Sequence, residues 1–200
     1  MSFHKLISIE DIESMNHRKG EHKVNHKDNN GSTDCYQGWQ SADQYAYEVL
    51  HEDGIYFNTT GVQTKNACAR FVYDRTQRTD IEFRNGNQKI PEGHPFARNE
   101  VQDVIEYAAQ FRHTKGKMSG KKIELLMWMI FVLANVFGWY YTDEDKQGRC
   151  GERRFTKAFT LVARGNAKSF LCSIVALYTM KFSPNGNPSC YSVARNAAQA

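Results

Sequence analysis

No two of the five cysteines in this 200-residue sequence stand close enough to make a C-x-x-C pair: Cys35, Cys68, Cys150, Cys172 and Cys190 are scattered and odd in number. That gives no zinc framework and points to reduced thiols in an intracellular compartment. An apolar leader is missing as well. The opening "MSFHKLISIEDIES" has no apolar core and turns acidic at Glu10, so it does not read as a signal peptide. The longest apolar run, "ELLMWMIFVLANVFGWYY", includes Glu124 and Asn135 and falls short of a membrane span. Charge of one sign is not concentrated either. A net charge of +4 permits contact with nucleic acid without requiring it. What remains, with 40% hydrophobic and 24% charged residues, is the composition of a soluble globular protein.

The first 35 residues are polar and aperiodic and read as a flexible tail. His17, His22, His26 and Cys35 fall there, without the compact ligand pairs that a metal site needs. Residues 36–120 read as a helical region. "SADQYAYEVLHEDG" offers a capping box at Ser41 and Gln44 and a C-terminal glycine at Gly54. Thr60 and Gln63 repeat that device before a second helix that carries Val62, Cys68, Phe71, Val72 and Arg75 at near-helical spacing. Val101, Val104, Ile105, Ala108 and Phe111 line one face of a third.

From residue 121 the pattern changes to that of an α/β domain. Ile123 to Trp139 predicts a helix buried on most sides and ended by Gly138. "YYTDEDKQGRCGERRF" predicts a loop or hairpin, and Phe159–Ala163 a short buried strand. Leu171, Ile174, Val175 and Tyr178 predict a helix over "KSFLCSIVALYTMKF". "SPNGNPS" predicts a turn, Cys190–Ala194 a second strand, and "RNAAQA" the start of another helix. Strand, helix, strand is one βαβ unit and implies a parallel sheet.

Between the first strand and its helix lies "VARGNAKS", close to the phosphate-binding pattern G-x-x-x-x-G-K-[ST], with Val162 and Ala167 at the glycine positions. A strand that delivers backbone N–H groups to a helix N-terminus is what phosphate binding asks for. Lys168 would reach the outer phosphates and Ser169 the Mg²⁺ shell, with Arg164 near the γ-phosphate. Alanine is tolerable at 167 if its φ is negative, and Gly165 and Asn166 are the residues suited to left-handed geometry. The bland alternative is a basic turn between a strand and a helix.

"VARGNAKS" resembles the Walker A variant of the large terminase subunits of tailed bacteriophages, the ATP-driven motors that package DNA. "YAYEVLHEDG", "KNACARFVYD", "HTKGKMSGKKIELLMWMIFVLANVFGW", "GERRFTKAFTLVARGNAKSFLCSIVALYTM" and "CYSVARNAAQA" follow the order of that family's N-terminal half, so the resemblance runs from about Tyr36 to Ala200. It implies a P-loop ATPase domain beginning at 121, ATP and Mg²⁺ as cofactors, and a place in the cytoplasm of a bacterial host. Its implied partners are double-stranded viral DNA, a small terminase subunit and a portal protein, with a homo-oligomeric ring and no membrane. It assigns Arg164 and Lys168 to catalysis, Arg164, Gly165, Asn166, Ala167, Lys168 and Ser169 to the nucleotide, and the Ser169 hydroxyl to Mg²⁺. Met129, after Trp128, stands where the family carries an adenine-contacting glutamine; Trp128 itself reads as core.

An acidic motif for hydrolysis is missing. Asp143 and Glu144 follow an apolar run but precede the loop and sit in a charged, glycine-bearing turn, and Glu10 and Asp11 lie outside the resemblance. With one βαβ unit and no two-metal carboxylate cluster, the sequence reads as the front part of a longer, truncated protein. The alternative is a non-catalytic module in which residues 36–116 bind a partner subunit or DNA. Arg70, Arg75, Arg78, Arg84 and Lys89 are interleaved there with Asp74, Asp80 and Glu82, so no phosphate-tracking stripe is evident. A small-molecule kinase is a weaker reading, because more than 150 residues precede the loop.

Overall fold

The computed structural model describes residues 7–16, 38–84, 100–114, 116–117, 119–142, 146–163, 165–182 and 188–191. The chain divides into two compact units, Met1–Ala158 and Phe159–Ala200.

Unit 1 is mostly helical. Helix α1 (Ile9–Glu13) is short and fixed by a capping box of Ser8 and Asp11. Helices α2 (Gln40–Leu50) and α3 (Val62–Gln77) pack on each other, and α2 also packs on α5 (Met127–Gly138). Helix α4 (Glu100–Ala108) lies against α5 and buries Val101, Val104, Ile105 and Ala108 of the face its spacing predicts, while Phe111 lies past its end and is half-buried. Helix α5 begins four residues later than the apolar run suggests, at Met127, and ends at Gly138 as expected. A two-stranded antiparallel sheet joins β1 (Ile81–Phe83) to β2 (Trp139–Tyr141), with Ile81 opposite Tyr141 and Phe83 opposite Trp139. Residues 151–154, from the segment expected to form a loop or hairpin, run along the other side of β2. Tyr141 N donates to Glu152 O at 3.0 Å, and Arg154 N donates to Trp139 O at 3.0 Å.

Aromatic rings fill the space between α3, α5 and the sheet. Phe71 meets Phe83 edge-on at 5.5 Å, Phe131 at 5.2 Å and Trp139 edge-on at 5.7 Å. Tilted and edge-on pairs of this kind add stability beyond the area they bury.

The capping boxes expected at Ser41/Gln44 and Thr60/Gln63 are not formed. Helix α2 starts two residues earlier, with Trp39 as its N-cap, so Ser41 and Gln44 lie buried inside it. Gln44 Nε2 donates instead to Glu48 Oε1 at 2.7 Å, and Glu48 Oε2 accepts from Ile55 N at 2.8 Å. Gly61 caps α3, while the Thr60 hydroxyl donates to Tyr56 O at 2.7 Å. Tertiary burial has overridden a local signal. Gly54 is not the cap of α2, which is His51, but it closes the following turn where a Cβ would strike the Glu48 backbone.

Unit 2 contains helix α6 (Lys168–Phe182), with the bounds the sequence predicts and with Leu171, Ile174 and Tyr178 buried. The strand expected at Phe159–Ala163 is absent. Those residues carry no ladder, and Phe159 and Leu161 are 90% and 84% exposed. A strand's N–H and C=O groups need neighbours to pair with, and the described residues of unit 2 contain no strand to pair with this one. Of the second expected strand, Cys190 and Tyr191 belong to no strand, and 192–194 lie outside the described residues. The parallel sheet is therefore corrected to a mostly helical architecture with one small antiparallel sheet.

Candidate functional site

The loop before α6 is built from left-handed backbone. Gly165 has φ +87° and Ala167 has φ +50°. The condition that would make alanine tolerable at 167, a negative φ, is therefore not met: the position where the pattern has glycine adopts the geometry that glycine favours, with a methyl group in its place. Leu171 N donates to Ala167 O at 3.0 Å, so the first turn of α6 is anchored on this strained residue. The Asn166 side chain reaches back toward Ala163 O at 3.5 Å.

Lys168 and Ser169 open the helix, both exposed, as are Gly165, Asn166 and Ala167. The first N–H groups of a helix have no partner within it, and its N-terminus carries partial positive charge. An acid normally sits there; α6 has none in its first turn and carries Lys168 instead. Like charge is thereby stacked on like, an arrangement that an added anion relieves. The Ser169 carbonyl accepts from Ser173 Oγ at 2.9 Å. Gly165, Asn166, Ala167, Lys168 and Ser169 are brought together by the turn; Arg164 lies outside the described residues.

Unit 2 supplies no acid at all. Of the 26 Lys and Arg and 22 Asp and Glu in the chain, Arg164, Lys168, Lys181 and Arg195 fall in 159–200 together with no carboxylate, which leaves 22 of each sign in unit 1. Among the described residues no three His, Cys, Asp or Glu side chains group to hold a metal. Asp11, discounted from the sequence, caps α1: its carboxylate accepts from Ser8 N at 3.0 Å, which holds it below the ordinary carboxylate range. Asp143 and Glu144 lie outside the described residues, as do His17, His22, His26, Cys35 and Lys89. Trp128 is half-buried at the start of α5, and Met129 is buried in unit 1.

Unit 1 holds a second assembly that the sequence does not announce. Asp74, 2% exposed, is surrounded by three guanidinium groups. Arg154 Nη1 donates to its Oδ2, Arg70 Nε stands 3.8 Å from Oδ2, and Arg78 Nη1 stands 3.7 Å from Oδ1. Burial raises the Asp74 carboxyl above its ordinary range, and the hydrogen bond from Arg154 opposes that. Arg75 pairs with Asp43 at 2.9 Å, Arg78 also with Asp80, Arg84 with Glu82, and Arg153 with Glu100. The same cations lie over aromatic faces: Arg154 and Arg70 over Phe155, Arg75 over Phe83 and Arg84 over Tyr140. A cleft of about 440 Å³ opens beside this cluster, lined by Met15, Arg75, Arg78, Glu82 and Trp139 among others. Its two arginines are already neutralised, so the assembly reads as structural. The interleaved acids around Arg70–Arg84 are the trace of it in the sequence.

Residues 127–200 match the family model described as terminase large subunit, ATPase domain. The resemblance read from the loop is thereby shown over this segment, which begins at the first residue of α5 and includes the whole of α6. No curated protein and no solved structure matches the chain.

Proposed function

We propose, from the match of residues 127–200 to the family model of the terminase large subunit's ATPase domain, that this chain grips the phosphates of ATP for a motor that packages viral DNA. One observation carries the reading: Lys168 and Ser169 stand exposed at the acid-free N-terminus of α6, directly after a left-handed turn. In this reading the backbone N–H groups of Gly165 to Ser169 donate to phosphate oxygens, and the Lys168 ammonium neutralises the outer phosphates. Arg164 contacts the γ-phosphate, and the Ser169 hydroxyl contributes one ligand to the metal. Mg²⁺ held there would offset the charge of the phosphates. Met129 is too buried to present a base-reading group, so discrimination of adenine falls to backbone or to other residues.

Unit 2 has no carboxylate, so the orienting of an attacking water is assigned to no residue within it. The partners that go with the reading are viral double-stranded DNA, a small terminase subunit and a portal protein, in a ring of copies within the host cytoplasm. No helix among the described residues is long and apolar enough to cross a membrane.

Calorimetric titration with Mg²⁺·ATP tests the site. Charge-assisted hydrogen bonds are worth about 1.5–3 kcal/mol, so Lys168→Ala should weaken binding by at least about tenfold. Equal affinity for the two proteins would end the assignment. Alkylation offers a second readout. Cys172 is exposed one helical turn beyond Lys168, and bound nucleotide should slow its modification.

A further inference from the structure

Five of the 22 cations of unit 1 fall within thirteen residues that contain no acid: Arg112, Lys115, Lys117, Lys121 and Lys122, in "FRHTKGKMSGKKI" from Phe111 to Ile123. The chain doubles back over this stretch. His113 N donates to Lys121 O at 3.0 Å, Gly120 N donates to His113 O at 2.8 Å, and Ile123 N donates to Phe111 O at 3.0 Å. Gly116 and Gly120 take φ +76° and +83°, which lets the arm turn. Phe111 and Ile123 root it, half-buried, while Arg112, Lys117, Lys121 and Lys122 are exposed.

Two features set this arm apart from the rest of unit 1. Arg70, Arg75, Arg78, Arg84, Arg153 and Arg154 each pair with a carboxylate. Among the described residues no carboxylate pairs with Arg112, Lys117, Lys121 or Lys122. Arg112 also stands directly opposite Lys122 in the antiparallel bridge, and like charges so placed are destabilising. The Arg112 guanidinium is held in that position by donating to Gly120 O at 2.8 Å. The described residues of the arm are thus exposed, and their charge is left for something outside the chain.

We propose that the arm Phe111–Ile123 is a contact surface for the phosphate backbone of double-stranded DNA. A duplex presents closely spaced phosphates along its length, and exposed cations without carboxylate partners are what such a backbone attracts. An anionic membrane surface fits less well. Surface-binding segments pair cations with an apolar face that enters the lipid, and the described residues between Arg112 and Lys122 expose no aromatic or aliphatic side chain. This deepens the packaging reading and rests on it for the choice of DNA, but the arm lies outside the matched segment and is tested separately.

The experiment uses the full chain and fluorescence anisotropy with a random-sequence duplex of about 30 base pairs, titrated over a range of salt. Each phosphate contact contributes about 0.9 to the slope of log affinity against log salt. Lys117→Gln/Lys121→Gln/Lys122→Gln should therefore flatten the slope by about 2.7 and weaken binding at low salt, with a thermal midpoint that is not lowered, since the like-charge pair at Arg112 and Lys122 is relieved. Lys146→Gln/Lys157→Gln/Lys181→Gln removes the same charge elsewhere and should keep most of the slope. Equal slopes for wild type and the arm variant would overturn the proposal. So would an equal loss in the control variant, or binding confined to phosphatidylserine vesicles. Nucleotide titration of the arm variant separates the two readings. Retained Lys168-dependent ATP binding with an unaltered DNA slope sinks the arm alone, and loss of ATP binding to the wild type sinks the packaging reading alone.

Discussion

Asp74→Asn should bring unit 1 close to unfolding. The substitution keeps the shape of the side chain and removes its charge. It leaves Arg154, Arg70 and Arg78 around a buried site, 2% exposed, with no anion. The new amide also turns a donor toward guanidinium donors. Removing one member of a buried ion pair costs about 3–5 kcal/mol, against a total stability on the order of 5–15 kcal/mol for a domain. The arginines set the scale of the contrast. Asp74 keeps Arg154 and Arg70 when Arg78 is replaced, and Arg78 is about one quarter exposed, so Arg78→Gln should cost only about 0.5–1 kcal/mol. Arg154 lies deeper and closes the cluster over Phe155 and Trp139, so Arg154→Met should fall between the two. Urea unfolding followed by tryptophan fluorescence reads all three, since Trp139 sits in the affected core. If Asp74→Asn cost less than about 1 kcal/mol, the desolvation of the carboxylate would already cancel its pairing, and the argument that it organises the core would fail.

Further outcomes are expected elsewhere. Gly138→Ala places a methyl group against the Phe83 ring and 2.8 Å from Val101 Cγ2, and overpacking of this kind should cost about 1–3 kcal/mol in the same assay; a neutral result would mean that α4 and α5 can separate freely. Ala167→Gly removes left-handed strain of about 1–2 kcal/mol against about 0.4–1 kcal/mol for a looser unfolded chain. A small net gain in stability is expected, and a loss would contradict the positive φ. Burial pushes the Cys68 thiol well up, so native-state alkylation mapped by mass spectrometry should modify Cys150, Cys172 and Cys190 and spare Cys68. The hydrogen bond from Arg78 lowers the Asp80 carboxyl below its ordinary 3.8, so this group adds stability above that pH and loses it as pH falls through the lowered value. Asp80→Asn should therefore make the acid limb of a stability profile shallower below about pH 4, modestly, because the pair is part-exposed.

Helix α6 was legible to the residue because its amphipathic spacing and its flanking turns agree. The face of α4 was legible for the same reason. "FTLVA" misleads because strand composition describes only what a segment can do; a ladder also needs a neighbour, and a linear pattern does not contain one. Ser41 misleads in another way: a serine followed by glutamine three positions on marks a cap only if both face water, and here both face the core. The loop Gly165–Ser169 could be placed from its motif, although the sign of φ at Ala167 could not, since it depends on the geometry of the turn. The basic arm was overlooked because the modest net charge of the whole chain hides five cations that share one short stretch. Asp74 was noticed only as a neutralising neighbour of the arginines. Its role depends on Arg154, 80 residues away, and no local window contains both.

That separation also sets an order of events during synthesis. Helices α2 and α3 can form as soon as they emerge, but β1 waits some sixty residues for β2, and Asp74 waits for Arg154. Until then Phe71 and Phe83 lack the Trp139 ring that covers them, and Asp74 lacks its deepest counterion. Closing a loop of this length costs chain entropy that nearby contacts do not repay, so the nascent chain carries an open aromatic surface for most of the time unit 1 takes to be made. A growing chain in that state is a natural client for a holding chaperone. The arrival of one arginine, four residues before the end of the unit, ends that dependence.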